Sequence, residues 1–407
     1  MKSPDLFLLF FCALFAPRLA AQAPDAFAGL TEHFHRLTDE GRLAGTVIVL
    51  EQDDRVWQDV YGFQNVEEGI PMSGRTLFRM ASMTKPITSA AVMMLVEEGR
   101  LRLDDPVDKY LPAFAEMEIL TVDGRQEKLR RVIRVEDLLM HTSGITSQMF
   151  QQTPAEKAYA EAFRQTHPKN LEEMVDALSA LPLAHQPGEG WSYGYSTDVL
   201  ARIVEIASDR SIDDFFRERI FRPLGMNDTD FQVGSDRLDR FACLYGKELK
   251  LVEGADEGSP YVDGRYFPRG VGGLVSTAGD YLRFCRMLLN GGELEGVRIL
   301  QAKTVALMMQ NHLPDGVFPH TPGMPEICHG FGYGFGVQTD DPAFGTPGDC
   351  AWPGACLTYF FIDPTHGGIG LLLTQSTDFG NLPMLGVFHE QAGHLFSENR
   401  SAAAADE

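Results

Sequence analysis

Along the first part of the chain, apolar residues recur with two different periods. Phe27, Leu30, Phe34 and Leu37 lie three or four apart, one face of a helix running to about Gly41. β-Branched runs over residues 45–50 and 56–62, separated by polar Gln52-Asp53-Asp54-Arg55, predict an antiparallel hairpin packed on that helix. A more apolar helix opens near Ser82 and ends at Gly99, a residue suited to the left-handed position after a C-cap. Pro86 is tolerated there because it falls in the first turn.

Residues 101–266 read mostly as helix. Leu171, Met174, Val175, Leu178 and Leu181 form one amphipathic stripe; Val199, Leu200, Ile203 and Val204 form another. Strand character returns over 271–276, yields to a helix over 280–289 and resumes over 332–338. Residues 359–362 and 369–375 flank the turn Asp363-Pro364-Thr365-His366-Gly367-Gly368 and predict a second hairpin. A last helix is expected from Pro383 to about Phe396, followed by a disordered tail. Strands at both ends with helices between predict an α/β (α+β) fold: an antiparallel β-sheet flanked by helices, built from both chain ends, with a mostly helical domain inserted. The expected boundaries are 24–80 with 267–398 for the sheet domain, 81–266 for the insertion and 399–407 for the tail.

Composition adds limits. With 44% hydrophobic and 23% charged residues the chain is an ordinary globular protein. Its formal charge of −22 argues against nucleic acid or an anionic membrane surface as a partner. Lys2, the apolar run over 6–16 and the small residues Ala20, Ala21 and Ala23 read as a signal peptide over residues 1–23, too short to span a membrane. The mature protein is therefore expected to be periplasmic or secreted. Cys12 leaves with that segment. Cys243 and Cys285 remain with Cys328, Cys350 and Cys356, and the last three leave room for one bridge.

The stretch Phe78-Arg79-Met80-Ala81-Ser82-Met83-Thr84-Lys85-Pro86 places a serine one turn before a lysine at the opening of an apolar helix. Residues three apart share a helix face, so Ser82 Oγ and Lys85 Nζ can meet. A lysine among apolar neighbours tends to lose its proton, and a neutral amine can help activate the serine. By itself the pair reads as a helix-capping serine followed by a solvated lysine. Two further pieces change that balance. Trp191-Ser192-Tyr193-Gly194-Tyr195 lies on a loop after Pro187-Gly188 and can aim a tyrosine hydroxyl into a cleft. Ala351-Trp352-Pro353-Gly354-Ala355 enters a strand, where the glycine lets backbone approach a substrate and an N–H can face a developing oxyanion.

In this order the three pieces resemble those of the serine β-lactamase and penicillin-binding-protein superfamily, in particular its class C-related branch, which includes the family VIII carboxylesterases. The resemblance spans about residues 27–396 and is also carried by Leu138-Leu139-Met140-His141-Thr142-Ser143-Gly144, Pro223-Leu224-Gly225-Met226 and Gly272-Gly273-Leu274-Val275-Ser276-Thr277. It implies a β-lactamase/transpeptidase-like fold. It also implies Ser82 as nucleophile, Lys85 as the motif lysine, Tyr193 as the tyrosine of Tyr-x-Asn, and the backbone N–H groups of Ser82 and Ala355 as oxyanion hole. Trp352-Pro353-Gly354 takes the place of Lys-Thr-Gly.

Two departures bear on the substrate. Tyr195 stands where the family has the asparagine of Tyr-x-Asn, and Trp352 replaces a lysine suited to a substrate carboxylate. Esterases of the family often carry a Trp-x-Gly variant, and a flat indole favours an uncharged acyl or alkoxy group. The expected activity is hydrolysis of carboxylic esters of small uncharged acyl groups through a Ser82 acyl-enzyme. Trp352, Pro353, Gly354 and Tyr195 are expected to line the substrate site, with no metal or other cofactor; the expected partner is a small-molecule ester or amide. A β-lactamase, a D-amino-acid peptidase and an acyltransferase would use the same site, and a catalytically silent binding or filament-forming protein would keep the fold.

Other signals carry less. His389-Glu390-Gln391-Ala392-Gly393-His394 imitates a zinc-protease motif, but its second histidine is one residue too far along the helix; a surface or core role is expected for His389. His141 falls at a helix end before a turn and is expected to be structural. Tyr195 either lines the acyl pocket or packs beneath its loop. There is no Gly-x-Ser-x-Gly elbow and no Walker or Rossmann glycine pattern.

Overall fold

The computed structural model describes residues 25–53, 55–320, 326–340 and 342–406. An eight-stranded antiparallel sheet runs in the order Gly330–Phe331, Gly336–Val337, Cys350–Pro353, Tyr359–Asp363, Gly368–Leu373, Gly45–Gln52, Arg55–Asn65, Ile70–Pro71. The two chain ends meet where Gly45–Gln52 pairs with Gly368–Leu373, Val47 opposite Leu373.

Successive residues of these strands face opposite layers. Val47, Val49, Leu371 and Leu373 join the core shared with the helical half. Ile48, Leu50 and Leu372 pack instead with Phe34, Phe388 and Phe396 of the terminal helices Asp25–Asp39 and Pro383–Asp406. A sheet covered on both faces shows no polar alternation, which is why Leu371-Leu372-Leu373 is an unbroken apolar run.

Between the two parts of the sheet the chain is mostly helical, with Lys85–Glu97, Val135–Leu139, Pro154–Gln165, Leu171–Ser179, Ser196–Ser208 and Ile212–Phe216. Lys85–Glu97 is buried from Lys85 to Leu95 and has no solvent-facing side over that stretch. Gly99 closes it at φ +69°. The turn Ala81–Thr84 that precedes it abuts Cys350–Pro353, the sheet strand that carries Trp352.

Several expectations are corrected. The strand expected over 271–276 shrinks to Val275–Ser276, which pairs with Phe78–Arg79 outside the main sheet; residues 270 and 271 spend their hydrogen bonds on the helices around Lys85 instead. The strand expected over 332–338 shrinks to Gly336–Val337. The terminal helix passes Phe396 and runs to Asp406 through the segment expected to be a disordered tail, because Ala402 to Ala405 are the strongest helix formers. The bridge left open for Cys328, Cys350 and Cys356 is not formed: all five cysteines described are free and buried. Burial pushes the Cys328 thiol up to about 12 and that of Cys356 to about 11, so both stay protonated and inert. The signal peptide expected over residues 1–23 lies outside the described residues. Among the described residues no helix is long and apolar enough to cross a membrane.

One buried cation braces the strand that leads into the Ser82 turn. Arg79 is 1% exposed; its guanidinium donates to Glu253 Oε1 at 2.7 Å and to the Ala242 carbonyl at 2.5 Å, and lies 3.9 Å from the Phe241 ring centre. Replacing Arg79 with methionine leaves Glu253 without its cation, and urea unfolding is expected to show a loss of about 3 kcal/mol. A midpoint unchanged from wild type would mean that Arg79 contributes only packing.

Candidate active site

Ser82 sits on a 3₁₀ turn, Ala81–Thr84, that feeds directly into Lys85–Glu97. The preceding residue, Ala81, holds φ +47°, a left-handed conformation that a side chain resists. The neighbouring backbone holds it there: Met83 N–H bonds the Met80 carbonyl at 3.1 Å and Met80 N–H the Leu274 carbonyl at 2.8 Å.

Lys85 Nζ lies 3.0 Å from Ser82 Oγ, donates to the Val271 carbonyl at 2.8 Å and sits 4.6 Å from the centre of the Tyr193 ring. The side chain is 1% exposed. Burial pulls its pKa well below the usual lysine value; Asp198 opposes that shift and Arg269 reinforces it.

Tyr193 comes in from the loop before Ser196–Ser208. Its hydroxyl contacts Ser82 and accepts the indole N–H of Trp352 at 3.1 Å. Burial pushes the phenol up to about 12, so it keeps its proton. With Trp352 donating to Oη, that proton is free to point at Ser82 Oγ. Trp352 thus does more than supply the apolar wall expected of it: it orients the tyrosine.

Pro353 ends the strand and Gly354 draws it onto the Ser82 turn. A Cβ on Gly354 would fall 2.5 Å from the Met80 carbonyl and 2.1 Å from Thr358 Oγ1, so no side chain fits. This close approach brings Ala355 and Ser82 to the same cleft.

Two clefts open from Ser82 and Tyr193. One, about 760 Å³, is walled by Phe150, Trp191, Trp352, Ile327 and Leu382, with no lysine or arginine among its described lining residues. The other, about 940 Å³, is lined by Gln148, Tyr195, Tyr261, Tyr266 and Arg269. Tyr195 therefore does line a pocket, and its hydroxyl also bonds Gln148 Oε1 beneath the loop.

A model of the Beta-lactamase family matches residues 30–385. The chain belongs to this family. Its relatives include an uncharacterised protein of Mycobacterium tuberculosis, 38% identical over 83% of this chain and 87% of that protein. Esterase EstB of Burkholderia gladioli is 31% identical over 86% of this chain and 90% of that enzyme. Among solved structures, EstCE1, described as a hydrolase with promiscuous acyltransferase activity, superposes with a TM-score of 0.76 at 26% identity, covering 91% of this chain and 99% of that one. These relatives make the chain a serine hydrolase of the beta-lactamase family.

His141 is buried at φ +60° and packs between Tyr193, Trp191 and Phe331, with ring centres 5.1, 5.9 and 5.6 Å away. Burial and the nearby Lys85 pull its pKa down to about 3, so it stays neutral. His389 is a core residue: the Tyr359 hydroxyl lies 2.8 Å from its Nδ1 and Asp349 Oδ2 2.8 Å from its Nε2. No cluster of metal-binding type occurs among the described residues. Gln148, Asp198 and Arg269 were missed by sequence reasoning. Asp198 in the first turn of Ser196–Ser208 reads as an ordinary complement to the helix dipole, and nothing local marks the other two.

Proposed function

We propose that this protein is an exported carboxylesterase that acts on esters of small, uncharged acyl groups through a covalent intermediate on Ser82. The observation that carries the reading is Trp352. It occupies the place of a substrate-binding cation, walls an apolar cleft and holds the Tyr193 hydroxyl. The second cleft adds no free positive charge either: Lys85 is buried, and Arg269 is paired with Asp198 at 2.7 Å. A carboxylate-bearing antibiotic or peptide would therefore lose its hydration without gaining a counter-ion.

The proton relay supports a division of labour between the two titratable groups. Lys85 donates one N–H to Val271, which leaves the lone pair of its neutral amine for the Ser82 proton. As Oγ attacks the ester carbonyl, that proton passes to Nζ and the oxyanion is received by the N–H groups of Ser82 and Ala355. Tyr193 then donates its proton to the departing alkoxide and regains one from the lysine. Water, activated by the same lysine, releases the acid.

Hydrolysis of p-nitrophenyl acetate and butyrate beside a chromogenic cephalosporin tests the reading. Ester turnover is expected to exceed cephalosporin turnover by at least about 100-fold in kcat/KM. Dominant cephalosporin cleavage would show that the absent lysine does not exclude β-lactams. The apolar cleft also favours a second reading, acyl transfer, since it could hold an acceptor alcohol against Tyr193. Adding butanol to the same assay and measuring butyl ester against free acid separates the two.

A further inference from the structure

Three elements converge behind the Ser82–Lys85 pair. Asp198, fully buried in the first turn of Ser196–Ser208, accepts the backbone N–H groups of Gly270 and Val271 on Oδ1, both at 3.0 Å. Its Oδ2 accepts Arg269 Nη2 at 2.7 Å. The Gly270 carbonyl accepts Thr88 Oγ1 at 2.9 Å, and the Val271 carbonyl accepts Lys85 Nζ at 2.8 Å, both groups from Lys85–Glu97. Gly270 lies so close to the helix that a Cβ would fall 2.1 Å from the Thr197 carbonyl. Residues 269–271 are thus gripped between two helices, and the grip ends at the amine beside the serine.

We propose that Asp198 and Arg269 are a positioning pair for Lys85: they clamp the carbonyl that receives its amine and cancel each other's charge beside it. The proposal rests on the reading of Ser82 and Lys85 as the reacting pair. A lone Asp198 carboxylate would favour the ammonium form, which has no lone pair for the serine proton. A lone Arg269 guanidinium would disfavour it. Arg269 lies 5.5 Å from the Tyr195 ring centre and has its Nε buried without a partner, so solvent screens the pair poorly.

Around Lys85 the other titratable groups are neutral: Ser82 on its own turn, His141 and Tyr193 on the two loops above it, and Tyr195 and Tyr266 beside Arg269. Burial is the main cause of its lowered proton affinity, and Asp198 and Arg269 are the two charges that adjust it in opposite directions.

The test is the pH dependence of Ser82 labelling by a fluorophosphonate, whose rate does not depend on knowing the substrate. Labelling requires the neutral amine, so the rate rises as pH passes the Lys85 pKa. Arg269→Gln leaves the carboxylate alone, and its acid limb is expected to move up by about one pH unit. Asp198→Asn keeps an oxygen for the Gly270 and Val271 N–H groups but removes the negative charge, and its limb is expected to move down. The double variant is expected to return the limb to its wild-type position, while Arg269→Lys should hardly shift it. Because the two single variants move in opposite directions, either one that folds is decisive. Variants slowed equally at every pH, with the limb unmoved, would reduce the pair to a structural brace. Wild-type protein that takes no label would overturn the nucleophile assignment and the pair's role together.

Discussion

Ser82→Ala is expected to remove ester hydrolysis almost completely, lowering kcat by a factor on the order of 10⁶ while leaving thermal unfolding nearly unchanged. The reasoning is geometric. Ser82 Oγ is the one atom that meets the lysine amine, the tyrosine hydroxyl and the cleft that holds Ala355. Without it there is no bond to the acyl carbon, and water gains only from what the backbone N–H groups do for an oxyanion. The variant should also take no fluorophosphonate label. Because Ser82 lies on a turn whose shape is held by Met80, Met83 and Leu274, loss of one oxygen should not disturb the fold. Turnover of p-nitrophenyl butyrate retained at a tenth of the wild-type rate would place the chemistry elsewhere.

Lys85→Met should come close in effect, with kcat/KM lower by about 10⁴-fold. Methionine fills the same buried channel but cannot take the serine proton. Desolvation lowers the lysine pKa well below its ordinary value, so the neutral amine is the prevailing form at pH where a solvated lysine is charged. In wild type the rate should therefore rise with pH through an acid limb displaced far below the lysine range, and in Lys85→Met that limb should vanish. Tyr193 cannot supply it, since burial holds the phenol proton to about pH 12. Ser82→Ala combined with Lys85→Met should be no worse than Ser82→Ala alone, because the two groups act as one unit. A Lys85→Met enzyme that kept both rate and acid limb would assign the base to another residue.

The parts of the site that were legible in the sequence are those set by local spacing. Ser82 and Lys85 meet because three residues on one helical turn are neighbours whatever surrounds them, even though the turn proves to be 3₁₀ rather than α. Gly354 was expected to let the backbone approach a substrate; the close approach the structure shows is to the Met80 carbonyl. The two hairpins and the terminal helices were legible because apolar runs of strand and helix length differ in period. The strand expected over 271–276 was not, because its composition matches a strand while its hydrogen bonds are drawn to Asp198, Lys85 and Thr88.

By itself, then, the sequence determined the serine–lysine pair offered as nucleophile and base, the tyrosine loop, the tryptophan in place of a cation, and a sheet made from both chain ends. Only the tertiary structure decided what these groups do to one another. Trp352 and Tyr193 are 159 positions apart yet share a hydrogen bond, and Asp198 and Arg269 are 71 apart yet form one ion pair. Residue spacing along a helix or strand carries no trace of such pairings. They depend on which elements pack together, and it is that packing which removes water from Lys85 and leaves its proton to the balance of two buried charges.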